Sequence, residues 1–385
     1  MTDVRAILAA LVAFDTTSDR SNLDLIAWIE AQFARHGVWS QRVPDPTGTK
    51  ACLWGTIGPR DVPGYVLSGH TDAVPVTGQA WTSDPFTLRE AEGRLYGRGT
   101  VDMKGFIAAC LAKLPEMAAA PLARPIHFLF THDEETGCIG VRFALERIAE
   151  LAPARPLAAF VGEPTGMQVV IAHKSRFDYC VTVRGRSCHS SLAPQGVNAI
   201  EAAARVIGRI ADIGRRFADE GPRDGLYDVD VSTAQTGTIE GGTALNIVPN
   251  RCSFTFEFRT LAQVDPWPYD REVRAFACEE VEPGMKARDG DAGIEIELKN
   301  GIPGFESPLD SEAVRLAERF TGRSDHAKVS YGTEAGLIAA VGGIPAVVVG
   351  PGSIARAHRP DEYVEIAELE ACGRFLDGLI AHCRA

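Results

Sequence analysis

Histidine and acidic residues follow four short apolar segments of this sequence, each of which is predicted to be a buried strand. They are His70 and Asp72 after residues 65–69, Glu134 and Glu135 after residues 126–131, Glu163 after residues 158–162, and His358 in the loop after residues 346–349. Open α/β sheets build their sites beyond the carboxyl ends of the strands. We therefore expect four separate loops to bring these imidazole and carboxylate groups to one edge of a sheet.

The chemistry of this set is that of a metal site. Imidazole and carboxylate ligands without thiolates suit zinc, cobalt or manganese and are unlike the ligands of an iron–sulfur cluster. Asp102 adds a further carboxylate from the glycine-punctuated segment 97–105, just before an apolar helix. A lone His-x-Asp or Glu-Glu pair is usually an ordinary surface feature, so the prediction depends on the joint pattern.

The elements that must position these residues alternate between helices and short apolar strands. Ser21 is predicted to cap a helix that runs through Trp28 and Phe33, and Gly37 stands where a helix commonly ends. The strands are apolar throughout and are interleaved with helices, which is typical of the buried strands of an α/β sheet. The predicted fold class is therefore α/β.

The middle of the chain has a different order of elements. Strands are predicted at 177–183, 232–239, 252–258 and 294–298, with helices at about 199–217 and 269–281. This β-α-β-β-α-β order is the ferredoxin-like arrangement. We therefore predict a larger domain made of residues 1–178 and 299–385, and a smaller domain of residues 179–298 inserted into it.

Composition excludes several classes of function. Lys and Arg number 39 against 51 Asp and Glu, which gives a net charge of −12 and argues against nucleic acid as a partner. The nine cysteines are scattered without a CxxC pair, which indicates reduced thiols. The apolar run near the start lacks a basic beginning and a cleavage site, and no stretch approaches the roughly 20 apolar residues that span a bilayer. We expect a cytoplasmic protein that binds neither nucleic acid nor membrane.

Four motifs give the sequence a family resemblance. In chain order they are SGHTDAVP at 68–75, GRGTVDMKG at 97–105, DEETG at 133–137 and GEPT at 162–165. Their types and order resemble the motifs of the M20 metallopeptidase family, and the resemblance covers essentially the whole chain. It implies a zinc-peptidase-like catalytic α/β domain with an inserted ferredoxin-like α+β domain that serves as a dimerisation domain and lid.

The resemblance also implies roles at a site for two divalent metal ions, zinc or cobalt. The implied ligands are Asp102 as the bridge, His70 and Glu163 on one metal, and Glu135 and His358 on the other. Asp72 would accept a hydrogen bond from the far ring N–H of His70 and so fix its tautomer, and Glu134 would be the general base. Two such metals together hold a water molecule, lower its pKa and polarise an amide carbonyl.

The inserted domain carries the other implied residues. Segment 185–191 resembles the family segment whose histidine reaches the site of a neighbouring subunit and stabilises the oxyanion, which gives that role to His189 and implies a homodimer. Segments 241–249 and 258–259 resemble stretches that hold the substrate carboxylate, so Asn246 and Arg259 are expected contacts. Gly332 and Thr333 also stand where relatives contact substrate.

The resemblance extends to a substrate class. Segments 301–306, 331–335 and 350–362 most resemble those of family members that hydrolyse N2-acetyl-L-ornithine to L-ornithine and acetate in arginine biosynthesis. The alternatives are desuccinylation of succinyl-diaminopimelate, another N-acyl-amino-acid amidohydrolase or carboxypeptidase activity, and a non-catalytic binding protein on this fold. A succinyl substrate should need an additional cation in the pocket, which the sequence does not locate. The complete ligand set together with Glu134 argues against a binding protein.

Overall fold

A computed structural model describes residues 3–384 of the chain, and these residues form two compact units. The first unit consists of residues 3–172, 305–328 and 333–384, and the second of residues 173–304 and 329–332. The main divisions, at 172/173 and 304/305, fall a few residues from the boundaries expected at 178/179 and 298/299. Chain segments on both sides of the second unit thus contribute to the first.

Helices and strands alternate along much of the chain. Within the described residues the helices are α1 (Val4–Val12), α2 (Leu23–Arg35), α3 (Lys104–Ala112), α4 (Leu114–Ala119), α5 (Gly140–Glu146), α6 (Ile148–Leu151), α7 (Ala199–Asp219), α8 (Trp267–Ala275), α9 (Glu282–Lys286), α10 (Glu312–Thr321), α11 (Glu334–Ala340) and α12 (Ile366–Cys383). Single 3-10 segments cover Ser190–Gln195 and Ile354–Arg356, and the π-helical segment Phe276–Val281 joins α8 to α9.

The strands of the same range belong to three sheets. They are β1 (Trp39–Pro44), β2 (Ala51–Ile57), β3 (Tyr65–His70), β4 (Arg89–Ala91), β5 (Arg94–Tyr96), β6 (Ile126–Thr131), β7 (Ala158–Val161), β8 (Val169–His173), β9 (Arg176–Arg184), β10 (Thr233–Gly241), β11 (Arg251–Arg259), β12 (Gly293–Ile302), β13 (Phe305–Glu306), β14 (His326–Val329), β15 (Ala346–Val348) and β16 (Tyr363–Glu365). Strands β16, β5 and β4 form the smallest sheet.

The main sheet belongs to the first unit and has the order β1-β2-β6-β3-β7-β15-β8-β13, with β14 paired to β8. Strands β6, β3, β7 and β15 are parallel to one another, whereas β1, β2 and β8 pair antiparallel. These four parallel strands are the ones that the sequence predicted, and they are buried along their whole length. The predicted α/β fold is therefore confirmed.

Aromatic side chains fix helices on this sheet. Phe33 of α2 packs against Phe128 and Phe130 of β6, with ring centroids 5.1 and 6.0 Å apart. Phe160 of β7 meets Phe375 of α12 edge to face at 5.3 Å. Burying one such ring stabilises the fold by about 1.5–3 kcal/mol relative to leaving it exposed. These contacts therefore anchor α2 and α12 on the sheet whose strand ends carry the candidate site.

Helix α2 begins one residue later than the sequence predicted. Its N-cap residue is Asn22 rather than Ser21, although the Ser21 hydroxyl accepts a hydrogen bond from the Leu23 N–H at 3.2 Å. The Asn22 side chain instead bonds the backbone N–H and C=O of Ala51 in β2, at 3.0 and 2.9 Å. The prediction was therefore wrong by one residue, because the main-chain oxygen of Asn22 accepts the Ile26 N–H at 2.9 Å and so begins the helix.

The second unit has the predicted ferredoxin-like order, β9-α7-β10-β11-α8-β12 along the chain. Its sheet has the order β10-β11-β9-β12, and every neighbouring pair is antiparallel. Tyr179 of β9 stacks on Phe256 of β11 with centroids 4.5 Å apart. Side chains of α7 and α8, such as Val206 and Val273, belong to the same buried cluster. The alternation of apolar and polar residues along β9 and β11 therefore places one face of the sheet against these helices.

Two further predictions concern membrane-spanning segments and the state of the cysteines. No helix between residues 3 and 384 combines the length and the apolar character needed to cross a membrane. The nine cysteines fall in the same range, and all of them are free thiols. Most are buried, as small apolar side chains usually are.

Candidate active site

The predicted metal ligands lie in the first unit and converge on one place. His70 ends β3, Glu135 follows β6 and Glu163 follows β7. Asp102 lies two residues before the start of α3, and His358 lies in the loop after β15. Because β6, β3 and β7 are adjacent and parallel, their carboxyl ends meet at one edge of the sheet, as expected from the sequence.

Asp102 stands between the two histidines. Its Oδ1 lies 3.0 Å from Nε2 of His70, and its Oδ2 lies 3.1 Å from Nε2 of His358. Oε1 of Glu163 is 3.8 Å from the same His70 nitrogen, and Oε2 of Glu135 is 3.0 Å from that of His358. A carboxylate with one imidazole at each oxygen has the arrangement that a bridging ligand requires.

Both members of the Glu134–Glu135 pair reach this cluster. Ligand atoms of His70, Glu134 and Glu163 lie within 4.8 Å of one another, and so do those of His70, Asp102 and Glu135. Each glutamate can thus approach a cation bound at His70. The two side chains differ in their other partners, because Glu135 also contacts His358.

Asp72 connects His70 to the loop that carries the two glutamates. Nδ1 of His70 lies 3.0 Å from the main-chain oxygen of Asp72 and 3.5 Å from its Oδ1, so the main-chain oxygen is the closer acceptor. The Asp72 carboxylate accepts hydrogen bonds from the backbone N–H groups of Glu134 and Glu135, at 3.2 and 3.3 Å, and from the Ser18 hydroxyl at 2.8 Å. A proton on Nδ1 leaves Nε2 of His70 free to bind a cation.

Burial raises the pKa values of three carboxyl groups in the cluster. It raises the pKa of Glu134 to about 8 and that of Glu135 to about 6, and neighbouring carboxylates add to both shifts. It also raises the pKa of Glu163 well above its usual range. Burial would raise the pKa of Asp102 too, but hydrogen bonds from the two histidines outweigh it and lower that pKa. The cluster therefore concentrates carboxyl groups in a buried place, where a bound cation would stabilise their ionised forms.

The residues present fit a pair of divalent cations. Oε1 of Glu163 is a buried oxygen without a hydrogen-bond partner. Burying such an oxygen costs free energy unless a positively charged group or a donor contacts it. Hydrogen bonds to Asp102 and Glu135 raise the pKa of His358 to about 10, which reflects the same concentration of carboxyl groups. Neutral imidazoles and carboxylates are ligands that zinc and cobalt accept.

The segment that begins α11 is anchored in the interior of the first unit. Thr333 is buried, and its hydroxyl accepts the Ala335 N–H at 3.1 Å as the cap of the helix. Glu334 is also buried, and its Oε2 accepts a hydrogen bond from the Ser68 hydroxyl at 3.4 Å. Burial raises the pKa of Glu334 to about 7. Helix capping by Thr333 is a role that was not predicted from the sequence.

His189 and Asn246 lie together in the second unit, and both are exposed. The backbone of His189 pairs with that of Ile247, and the Ser190 N–H donates to the main-chain oxygen of Asn246 at 2.9 Å. The Ser191 N–H donates to Nδ1 of His189 at 3.2 Å. Since a backbone N–H can only donate, Nδ1 is the acceptor and the neutral ring carries its proton on Nε2. The imidazole therefore offers Nε2–H as a hydrogen-bond donor.

Arg259 and Gly332 lie at the other end of the same sheet. Arg259 is the last residue of β11, whereas the turn that holds Asn246 precedes the first residue of that strand. A strand of nine residues, at about 3.4 Å per residue, separates its ends by about 27 Å. Gly332 lies beside the first residue of β9, which is at the Arg259 end. The guanidinium of Arg259 pairs with Glu257 at 3.2 Å.

Comparisons with known proteins find relatives that agree with one another. The model of peptidase family M20/M25/M40 matches residues 66–382. An acetylornithine deacetylase from Photorhabdus laumondii subsp. laumondii is 34% identical over 375 residues, which cover 97% of this chain and 94% of that protein. A tripeptidase structure from Staphylococcus aureus subsp. aureus Mu50 has a TM-score of 0.75 at 22% identity, over 99% of this chain and 97% of that one. A dinuclear metal-binding M20 peptidase from Bacillus subtilis has a TM-score of 0.67 at 16% identity, over 98% of both chains.

The sequence matches decide the family, and the structural likenesses support the fold. The matched range includes every predicted metal ligand, from His70 to His358. The similarity to the deacetylase extends over nearly the full length of both chains. The protein therefore belongs to peptidase family M20/M25/M40 and is a metal-dependent amide hydrolase.

Proposed function

We propose that this protein hydrolyses the acetamide of N2-acetyl-L-ornithine to L-ornithine and acetate, an arginine-biosynthetic reaction of the cytoplasm. The observation that carries the proposal is the similarity to an acetylornithine deacetylase over 97% of this chain. The cluster of imidazole and carboxylate groups in the first unit supplies the chemistry that such a reaction needs.

Five residues would hold two divalent metal ions, zinc or cobalt. Asp102 would bridge them, His70 and Glu163 would complete the protein ligands of one, and Glu135 and His358 those of the other. The distances of 3.0 and 3.1 Å from the two Asp102 oxygens to the histidine nitrogens support this division. When bound, such ions polarise an amide carbonyl and lower the pKa of a water molecule.

Glu134 is the proposed general base. Its carboxylate takes a proton from the attacking water and later gives it to the leaving amine nitrogen. The Glu134 N–H is bonded to Asp72 at 3.2 Å, and the Cys138 thiol donates to Oε1 of Glu134 at 3.4 Å. Asp72 therefore has two positioning tasks, since its main-chain oxygen also accepts from the His70 ring.

The substrate contacts are proposed to come from two subunits. The guanidinium of Arg259 suits the substrate carboxylate, because its planar fork can bind both oxygens, and Gly332 and Thr333 are further proposed substrate contacts. Asn246 would also contact the carboxylate, and Nε2–H of His189 would stabilise the oxyanion. His189 and Arg259 are separated by the length of β11, so one small substrate cannot touch both in a single subunit. We therefore infer a homodimer in which His189 serves the partner's substrate.

A panel of four substrates tests the proposal. The zinc- or cobalt-loaded enzyme should show its highest kcat/KM with N2-acetyl-ornithine, above N2-acetyl-citrulline, succinyl-diaminopimelate and a folyl-glutamate. Dialysis against a chelator should abolish turnover, and added zinc or cobalt should restore it, while a Glu134→Gln preparation gives the background rate. Preference for succinyl-diaminopimelate would replace the proposed substrate by the alternative. Bound metal without turnover of any compound would instead support a binding protein.

A further inference from the structure

Glu362 is a buried carboxylate that none of the proposed roles uses. It is 1% exposed. Its Oε1 accepts the backbone N–H groups of Val101 and Asp102, at 2.9 and 3.1 Å. Its Oε2 accepts the N–H of Gly99 at 3.1 Å and the guanidinium of Arg98 at 2.6 Å. Four donors thus converge on one carboxylate, and one of them is the N–H of the proposed bridging ligand.

The same contacts connect Asp102 to the loop of His358. Glu362 lies four residues after His358 in the sequence. Arg98, which is also 1% exposed, donates to the side-chain oxygen of Gln79, and the Gln79 amide donates to the main-chain oxygen of His358 at 3.0 Å. Glu362, Arg98 and Gln79 therefore form a continuous hydrogen-bonded chain between the two proposed ligands.

The His358 loop depends on such support. His358 has φ of +61°, in the left-handed region that residues other than glycine rarely adopt. Asp361 has φ of +54°, and its Oδ1 accepts the N–H and hydroxyl of Thr82 at 3.0 and 2.9 Å. The His358 side chain is half exposed, so packing contributes little to its position. Hydrogen bonds from neighbouring segments must hold this conformation.

We propose that Glu362, with Arg98 and Gln79, is a positioning group that sets the placement of Asp102 and His358 and thereby the affinity of the site for its metals. The inference rests on the proposed metal site. A carboxylate is required because only an acceptor with two oxygens can serve four donors, whereas an amide would turn an NH₂ group toward two of them. Groups that orient metal ligands in this way typically change metal affinity or activity by about 10–100-fold when removed.

Zinc titration of the chelator-treated full-length protein by calorimetry tests this role, with cobalt absorption as a second readout. Glu362→Gln should bind zinc about 10–100-fold more weakly than the wild type and should shift the visible spectrum of bound cobalt. Gln79→Ala, a change at a half-buried residue, should weaken mainly the binding of the ion at His358, because Gln79 donates to the main-chain oxygen of His358 but reaches Asp102 only through Arg98 and Glu362.

Asp270→Asn is the matched control. Asp270 is a buried carboxylate of the second unit that pairs with Arg274 at 2.9 and 3.0 Å. Its replacement should leave zinc affinity and the cobalt spectrum unchanged, so it separates loss of a buried ion pair from loss of ligand placement.

The role of Glu362 and the proposed metal site can fail separately. A folded Glu362→Gln protein with wild-type zinc affinity and an unchanged cobalt spectrum overturns the role of Glu362, even if turnover falls. Where Glu362→Gln does not fold, Gln79→Ala decides, and unaltered affinity for both ions overturns the role. A wild-type chain that binds no zinc or cobalt overturns the proposed metal site as well.

Discussion

Glu134 and Glu135 are neighbours in the sequence, yet the proposed reaction gives them different tasks. Their backbone N–H groups bond the same carboxylate, that of Asp72. From this shared anchor the Glu135 side chain reaches His358, while the Glu134 side chain accepts a hydrogen bond from Cys138. The division of work is therefore set by backbone placement, since the two side chains are chemically identical.

Mutation of Glu134 and Glu135 should distinguish the proposed general base from the proposed metal ligand. Glu134→Gln should keep both metals and lower kcat by about 10²–10⁴-fold, because it removes the proton acceptor but no ligand. Glu135→Ala should instead weaken metal binding. Metal content and steady-state kinetics on the same preparations measure both effects. The opposite pattern would show that the two roles are exchanged.

The metal-free protein should lose stability as the pH rises from about 5 to about 8. Burial raises the pKa of Glu134 from 4.5 to about 8, so in this range the folded state holds a proton that the unfolded chain has released. The free energy of unfolding then falls as the pH rises. His358 acts in the same direction above pH 6.5, since hydrogen bonds to Asp102 and Glu135 raise its pKa to about 10. The lowered pKa of Asp102 matters only below about pH 4.

Urea unfolding of the metal-free protein across this range measures the slope. Zinc-saturated protein is the control and should not lose stability over this range, because bound cations keep the carboxylates ionised and the ligating histidines neutral. Glu134→Gln should remove part of the slope. A metal-free protein that gains stability between pH 5 and pH 8 would contradict this account.

At the scale of elements, two loops approach each other more closely than side chains allow. Gly350 follows β15, and a Cβ atom at this position would lie 2.1 Å from the main-chain oxygen of Gly162 and 2.5 Å from that of Glu163. The loop after β15 thus touches the backbone that carries a proposed metal ligand. Only a glycine permits this approach without displacing Glu163.

Gly350→Ala should therefore disturb both folding and metal binding. We expect the free energy of unfolding to fall by about 1–3 kcal/mol, as for other overpacked interiors, and zinc affinity to fall with it. Gly208→Ala is the control, because this glycine lies on the exposed face of α7 with no atom within 4 Å of the new methyl group. It should raise stability by up to about 1 kcal/mol, since alanine favours helices. Equal stability of the Gly350 variant and the wild type would refute the prediction.

The strands that could be predicted from the sequence are those whose apolar composition indicates that they are buried. Strands β3, β6, β7 and β15 are short apolar runs, and their order and burial agree with the structure. Strand β2 is buried just as completely but was not singled out. It contains Gly55, whose missing side chain leaves the space that the Phe33 ring fills. Such a complementary contact between distant residues has no local signal.

The ligands of the candidate site could also be predicted from the sequence, but the contacts that hold them in place could not. Residue types and their places after strands led to the ligands, and the family resemblance gave them roles. The hydrogen bonds that hold those ligands were not predictable, because they join residues far apart in the chain. Asp72 and Glu134 are 62 positions apart, and Glu362 and Asp102 are 260 apart. Only the folded arrangement of several loops brings these partners together.

For the whole molecule, the proposal that His189 acts across subunits can be tested by mixing two inactive variants. One carries Glu134→Ala and the other His189→Ala. In a mixed dimer, the subunit that kept Glu134 would receive an intact His189 from its partner. Random exchange makes about half the dimers mixed, each with one complete site, so about a quarter of the wild-type activity should return.

A second mixture controls for unspecific recovery. Glu134→Ala mixed with Glu135→Ala should stay inactive, because both changes lie in the first unit and no mixed dimer contains a complete site. Subunit exchange itself is followed by a mass-tagged chain in native mass spectrometry. If the Glu134 and His189 variants exchange subunits and still show no turnover, His189 does not act across the dimer.

The separation of His189 from Arg259 by the length of β11 has a consequence for how the activity first arises in a cell. If His189 acts across subunits as proposed, a newly made chain that has folded and loaded its metals would still lack the oxyanion donor, which another chain supplies. Hydrolysis would then begin only when two chains have met, and at chain concentrations well below the dissociation constant of the dimer its rate would rise with the square of the amount of protein. Doubling synthesis in that range would quadruple the flux, which makes assembly a threshold for the start of the reaction.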